Sequence, residues 1–354
     1  MSPFTSTVTT EEQHNTGNSP APVTNTVIPQ TCPKTVNANR KTIAMLGAGA
    51  WGSALATLAS VNDHELRVWS RRGELSLEEA IADADVIISA ISMKGVRSVA
   101  AQLKELSIPK DAIIVTATKG LEPKTTLTPS QIWQETFPDH PVVVLSGPNL
   151  SKEIEAGLPA ATVVASADEN AAIAVQELFS SNCFRVYTNT DPVGTELGGT
   201  LKNVIAIGVG ICEGLNLGTN AKSALITRAL PEIIRIGTHF GAQPETFLGL
   251  AGLGDMLATC MSPLSRNHRV GYGLAQGKDL KQILEELGST AEGVNTTKVL
   301  INLANREGIP ISISRQIYRL LKGTVTPMAA VEALMERELK AESCELFENS
   351  DEEE

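Results

Sequence analysis

Lys41-Thr42-Ile43-Ala44-Met45-Leu46-Gly47-Ala48-Gly49-Ala50-Trp51-Gly52 is the stretch that decides the fold. Thr42 to Leu46 is a short apolar run of strand length. Gly47, Gly49 and Gly52 then form a G-x-G-x-x-G, and the small residues from Gly52 to Ser60 continue as a helix. Alone the glycine pattern is weak, and a plain turn would account for it. Directly after a strand and at the start of a helix, it reads as a turn that cradles a dinucleotide pyrophosphate. Gly47 permits the tight turn, Gly49 lets the backbone approach the phosphates, and Gly52 lets helix and strand pack closely. The helix start adds free N–H groups and the positive end of its dipole.

Working outward, strands and helices alternate. Leu66 to Trp69, Val86 to Ala90, Ala112 to Ala117 and Val142 to Leu145 read as strands. Ser76-Leu77-Glu78-Glu79 has the form of a capping box and opens a helix through Ala84. Ala161 to Ala165 and Phe184 to Tyr187 flank a helix over Glu169 to Phe179. The alternation predicts an α/β domain, a Rossmann-type, doubly wound parallel sheet. Beyond Asp191-Pro192 strand-like runs nearly vanish. Val193 to Cys212, Lys222 to His239, Pro244 to Leu248, Leu280 to Leu287, Thr296 to Glu307, Ser314 to Leu321 and Met328 to Leu339 read as helices. The expected organisation is a disordered extension over 1–40, a dinucleotide-binding domain over 41–190, an all-helical domain over 191–342 and an acidic tail over 343–354.

Bulk composition narrows the function. The 354 residues carry a net charge of −11, and aromatics make up only 4%. An acidic chain without a basic run is a poor match to nucleic acid, so no nucleic-acid partner is expected. The apolar run Val204 to Cys212 is far shorter than the ~20 residues of a membrane span. Thr5 to Asn39 is rich in Thr, Asn, Pro and Ser, with neither an apolar signal region nor an arginine before Arg40. Cys32, Cys183, Cys212, Cys260 and Cys344 form no C-x-x-C pair, and no metal site is expected. Such a set suggests reduced thiols in the cytoplasm.

The second strand ordinarily ends in an acidic residue for the ribose 2′-hydroxyl. Here it reads Val68-Trp69-Ser70-Arg71-Arg72, which places guanidinium groups where a 2′-phosphate would lie. Two solvated surface arginines are the alternative. In the helical domain, Gly198-Gly199-Thr200-Leu201-Lys202-Asn203 opens a stretch with no charge between Asn203 and Glu213. Lys202 therefore stands at the edge of a buried helix. Gly198, Gly199 and Thr195 leave room beside it, and desolvation suits its ammonium to acid–base work. Thr118-Lys119-Gly120 and Ser146-Gly147-Pro148-Asn149 follow strands at carboxyl ends, where such sheets bind ligands. Gly252-Leu253-Gly254-Asp255 and Ser265-Arg266-Asn267 add a carboxylate and a guanidinium suited to a phosphorylated substrate.

Taken in order, GAGAWG, ATKGLE, SGPN, GGTLKNVIAIG, AGLGD, SRN and AEG resemble the NAD(P)-dependent glycerol-3-phosphate dehydrogenases of the bacterial type, from about Lys41 to Ala341. The resemblance implies reduction of dihydroxyacetone phosphate to sn-glycerol 3-phosphate for glycerophospholipid synthesis, in the cytoplasm, with NAD or NADP as cofactor. It implies Lys202 as the acid–base lysine. It implies substrate contacts from Lys119, Gly147, Asn149, Lys202, Asp255, Ser265, Arg266 and Asn267. Dinucleotide contacts would come from Ala50, Trp51, Arg71, Lys119, Ser151, Arg266 and Glu292, beside Gly47, Gly49, Gly52 and Arg72. Asn149 stands where Thr is commoner. The segment from Arg72 to Val86 is shorter than in most members and resembles the cyanobacterial form. A homodimer is compatible with this reading. Two other readings compete. A β-hydroxyacid dehydrogenase or ketopantoate-type reductase shares the architecture but takes carboxylate substrates. A dinucleotide-sensing regulator would need no lysine.

Overall fold

The computed structural model describes residues 40–288, 290–339 and 342. The expected extension and acidic tail therefore lie outside the described residues, apart from Arg40. The sheet is built from β1 (Thr42–Leu46), β2 (Glu65–Trp69), β3 (Val86–Ser89), β4 (Ile113–Thr116), β5 (Val142–Ser146), β6 (Ala160–Ala165) and β7 (Phe184–Asn189). Their order is β2-β1-β3-β4-β5-β6-β7. Strand side chains alternate between two apolar layers. Ile43, Met45, Val86, Ile88, Val115, Val143 and Leu145 face one layer. It is closed by α1 (Ala50–Val61), α5 (Ser151–Glu155) and α6 (Glu169–Phe179). Ala44, Leu46, Ile87, Ile114 and Val142 face the other. That layer is closed by α2 (Leu77–Ile81), α3 (Met93–Leu106) and α4 (Pro129–Thr136). A sheet buried on both faces needs apolar residues at every strand position, as the near-continuous runs supply.

Two details depart from the expected wholly parallel sheet and longer helix. β5 and β6 pair antiparallel, although β6 and β7 are parallel to each other. Between β5 and β6 the chain has only the five-residue α5, about 8 Å long, too short to carry it back along a strand of about 17 Å. The capping box of Ser76 and Glu79 forms as expected, yet α2 stops at Ile81 rather than Ala84. Asp83 adopts a φ of 53°, which ends the helix.

The remainder of the described chain is helical around one axis. α7 (Pro192–Gly214) is buried over nearly its whole length and is surrounded by α8 (Gly218–His239), α9 (Asp255–Met261), α10 (Arg266–Ala275), α12 (Glu292–Glu307) and α13 (Ser312–Leu321). α11 (Leu280–Leu287) packs on α10, and α14 (Pro327–Met335) on α13. α10 crosses α7 very closely: a Cβ on Gly271 would stand 1.8 Å from the Ile207 carbonyl oxygen. The helical part meets the sheet where Ala251 packs with Val144, Val163 and Ala165. No helix among the described residues is long and apolar enough to cross a membrane. Reduced thiols were expected throughout; Cys212 and Cys260 are free, but Cys183 is disulfide-bonded.

Candidate active site

The phosphate turn comes first, because β1 and α1 fix it. Gly47 has a φ of 118°, and its N–H donates to the Trp69 carbonyl at 2.8 Å, tying the turn to the end of β2. A Cβ there would meet the Ala90 carbonyl oxygen at 2.6 Å. Gly52 lies so close to Gly47 that a Cβ would sit 1.9 Å from its carbonyl oxygen. Gly49 is the N-cap of α1, makes no side-chain cap and has nothing within 4 Å of its Cβ position. Gly49 and Ala50 are exposed, and Trp51 is half-buried against the sheet. The turn thus leaves the start of a twelve-residue helix uncovered, a surface that fits a pyrophosphate.

Arg71 and Arg72 follow β2 in an exposed turn closed by a bond from the Gly73 N–H to the Ser70 carbonyl. Neither makes a hydrogen bond or ion pair among the described residues. β2 lies at the sheet edge and β5 four strands away, about 19 Å at roughly 4.8 Å per strand. That span suits an extended dinucleotide with its adenosine end at β2.

The second constellation gathers at the carboxyl ends of β4 and β5, against α7 and α9. Asp255, 1% exposed, is the first residue of α9 and holds two lysines. Lys202 Nζ donates to Asp255 Oδ1 and, at 2.5 Å, to Thr259 Oγ1 one turn along α9. Lys119 Nζ donates to Asp255 Oδ2 at 2.6 Å. The loop that carries Lys119 is registered on α7 by the Gly120 N–H, which donates to Thr200 Oγ1 at 3.0 Å. Burial pulls the Lys202 ammonium down to about 7; Asp255 opposes that shift and Lys119 adds to it. Cys260, also buried beside this cluster, has its thiol pushed up to about 12, which keeps it protonated and inert.

The small residues near Lys202 divide into two kinds. A Cβ on Gly198 would meet the Ala251 carbonyl oxygen at 2.7 Å, so Gly198 serves helix packing, not ligand room as its spacing suggested. Thr195 is likewise sealed in the interior. Gly199 alone of the three faces Ser146, Lys119 and Asp255.

The other residues drawn from the sequence sit around this cluster. Gly147 makes the turn after β5 at a φ of 155°, close against Thr162. Asn149 Nδ2 donates to Thr162 Oγ1 at 2.8 Å. Ser151 opens α5. Ser265 caps α10, accepting from the His268 N–H at 3.2 Å. Arg266 is exposed at the first position of that helix. Asn267 Nδ2 donates to Asn203 Oδ1 at 2.9 Å, and its own Oδ1 accepts from the Gly293 N–H at 3.0 Å. Both of its polar atoms therefore hold protein partners and lock α7 to the start of α12. Glu292, beside that contact, is half-buried; desolvation raises its carboxyl pKa, while Arg266 and Lys94 oppose the rise. Sequence reasoning missed Thr259, Asn203 and Lys94. Thr259 was legible as the residue one helical turn after Asp255, had α9 been recognised.

A family model described as the NAD-dependent glycerol-3-phosphate dehydrogenase N-terminus matches residues 42–76 and 72–172, and its C-terminus counterpart matches 191–332. The chain belongs to the NAD-dependent glycerol-3-phosphate dehydrogenase family. A glycerol-3-phosphate dehydrogenase of the NAD(P)+ type from Acaryochloris marina is 67% identical over 305 residues, 86% of this chain and 98% of that protein. One from Synechocystis sp. is 67% identical over 85% of this chain and 95% of its own length. A crystal structure of the Coxiella burnetii glycerol-3-phosphate dehydrogenase superposes with a TM-score of 0.80 at 34% identity, covering 84% of this chain and 99% of that one. Among the described residues no group of three or more His, Cys, Asp or Glu could hold a metal ion.

Proposed function

We propose that this chain catalyses the reversible reduction of dihydroxyacetone phosphate to sn-glycerol 3-phosphate with NADH or NADPH, serving glycerophospholipid synthesis in the cytoplasm. The observation that carries the proposal is the buried Lys202–Asp255–Thr259 cluster with Lys119 on the second Asp255 oxygen. A bound nicotinamide supplies the hydride that reaches the carbonyl carbon. Lys202 sets its ammonium at the carbonyl oxygen, steadies the growing negative charge and gives up a proton to it. Asp255 and Thr259 fix the direction of that ammonium. Arg266 presents positive charge to the substrate phosphate, and Lys119, on the second Asp255 oxygen, reaches the substrate beside Lys202. Gly147, Asn149, Ser265 and Asn267 shape the walls.

The dinucleotide would be held by Gly47, Gly49, Ala50, Trp51 and Gly52 at its pyrophosphate and by Arg71 and Arg72 at its adenosine ribose. Ser151, Lys119, Arg266 and Glu292 would hold its other end. We take residues 41–190 as the dinucleotide-binding domain and 191–342 as the substrate domain, with a homodimer as the assembly. Consumption of NADH or NADPH on addition of dihydroxyacetone phosphate, followed by absorbance, tests the reading; no consumption with either cofactor contradicts it. Turnover of 2-keto acids instead would favour the carboxylate-specific alternative.

A further inference from the structure

We propose that Ser146 binds substrate and, with Asn149, selects the hydroxymethyl arm of the three-carbon ketone. The proposal rests on the reaction assigned above and adds which residue recognises which arm. Ser146 closes β5 and is 1% exposed, yet its Oγ has no hydrogen-bond partner among the described residues. Three residues on, Asn149 Oδ1 is also buried without a partner among the described residues. The direction of that amide follows from its neighbours. Thr162 Oγ1 donates its single proton to the Ser146 carbonyl oxygen at 3.0 Å, so it accepts from Asn149 Nδ2. Buried polar atoms normally find partners, and two orphans in one turn mark a place built for a ligand.

Ser146 lies in the active site. A Cβ on Gly199 would stand 2.3 Å from Ser146 Oγ, 3.1 Å from Lys119 Cε and 3.5 Å from Asp255 Oδ2. The Ser146 hydroxyl therefore sits over the glycine that precedes Lys202 by three residues. Lys119 lies beside it with its ammonium on Asp255, and its side chain is 21% exposed. A turn about that flexible stem opens the hydroxyl to substrate.

Chemistry then identifies the arm. Ser146 can donate or accept, whereas Asn149 Oδ1 can only accept. A ligand group that satisfies Asn149 Oδ1 must donate, as a hydroxyl does, and that hydroxyl can also accept from Ser146. A carbonyl or a phosphate dianion only accepts. Position agrees. Along α7, Gly199 and Asn203 are four residues, or about 6 Å, apart. Asn203 is bound to Asn267 next to Arg266, which marks the phosphate end. Lys202 lies between, and Ser146 takes the opposite end.

The test compares kcat/KM for dihydroxyacetone phosphate and for acetonyl phosphate, which has a methyl in place of the hydroxymethyl, in the full chain and its Ser146→Ala variant. Ser146→Ala should lose about tenfold on dihydroxyacetone phosphate and less than twofold on acetonyl phosphate. Its Tm should stay or rise, because the variant removes an unpartnered buried hydroxyl. Asn149→Ala should show the same substrate-selective loss and serves if Ser146→Ala does not fold. Equal losses on both ketones, or no loss on dihydroxyacetone phosphate, would overturn the assignment. A wild-type chain that reduces neither ketone would instead sink the reaction reading, and this assignment with it.

Discussion

Lys202 illustrates how environment makes chemistry from an ordinary side chain. Burial lowers its pKa to about 7, with Asp255 opposing the shift. Ketone reduction needs the ammonium, so its kcat should fall as pH rises through about 7. Alcohol oxidation needs the neutral amine, so its kcat should rise through the same range. Steady-state profiles in the two directions check this, and parallel profiles would contradict it. At the end of β2, where the proposal puts the adenosine ribose, Arg71 and Arg72 stand exposed and without partners among the described residues. A charge-assisted contact to a 2′-phosphate contributes ~1.5–3 kcal/mol, the lower end where solvent reaches it. Arg71→Ala should weaken NADPH about tenfold and NADH little, in titrations at low salt; equal weakening would mean both arginines merely face solvent. The sequence made Lys202 legible because one lysine interrupts an apolar helix. It placed Asp255 in a glycine turn, and only the fold brings its carboxylate 53 residues back along the chain to Lys202. Thr259 was missed because α9 went unread; its place one turn after Asp255 was the signal.

Among the elements, α7 carries the most. It holds Lys202 at the site and, two turns earlier, the buried Glu196, which accepts from the Ser130 N–H at 3.0 Å and caps α4. Desolvation pushes the Glu196 carboxyl up to about 7 despite these bonds. The folded state then keeps a proton that the unfolded chain loses near pH 4.5. This contribution to stability is full below pH 4.5 and is lost as pH rises through about 7, roughly 3 kcal/mol in all. Glu196→Gln should flatten the fall of Tm between pH 5 and 7; an unchanged slope would assign the fall elsewhere. The α7–α10 crossing gives a second test. Gly271→Ala would drive a Cβ to 1.8 Å from the Ile207 carbonyl oxygen, and backbone cannot yield as a side chain does. A loss of about 1–3 kcal/mol is expected in urea unfolding, and a neutral result would show that the helices separate freely. Strand and helix rhythm was readable wherever apolar periodicity or a capping box was clear, as at β1 and α2. α3 and α4 went unread, and so did α10, whose start was taken for a glycine and polar turn. The antiparallel entry of β6 was hidden because period-2 patterning does not record direction.

At the scale of the molecule, the two halves divide the labour. In the proposed function, the sheet offers a glycine turn and an arginine-flanked edge for the dinucleotide. The helical part offers a desolvated lysine held by Asp255. The Ala251 contact to β5 and β6, with the Gly120–Thr200 bond, holds the two halves so that Lys119 from one and Lys202 from the other share a single carboxylate. The central claim is that Lys202 supplies the proton in dihydroxyacetone phosphate reduction. The most direct measurement is the steady-state rate of dihydroxyacetone phosphate-dependent NADH or NADPH oxidation by the full chain and by Lys202→Ala. Ala is a good helix former, so α7 should persist, and circular dichroism can check it. The account predicts turnover by the wild type and a loss of about 10²–10⁴-fold in the variant. A folded Lys202→Ala chain retaining more than about a tenth of wild-type turnover would contradict it.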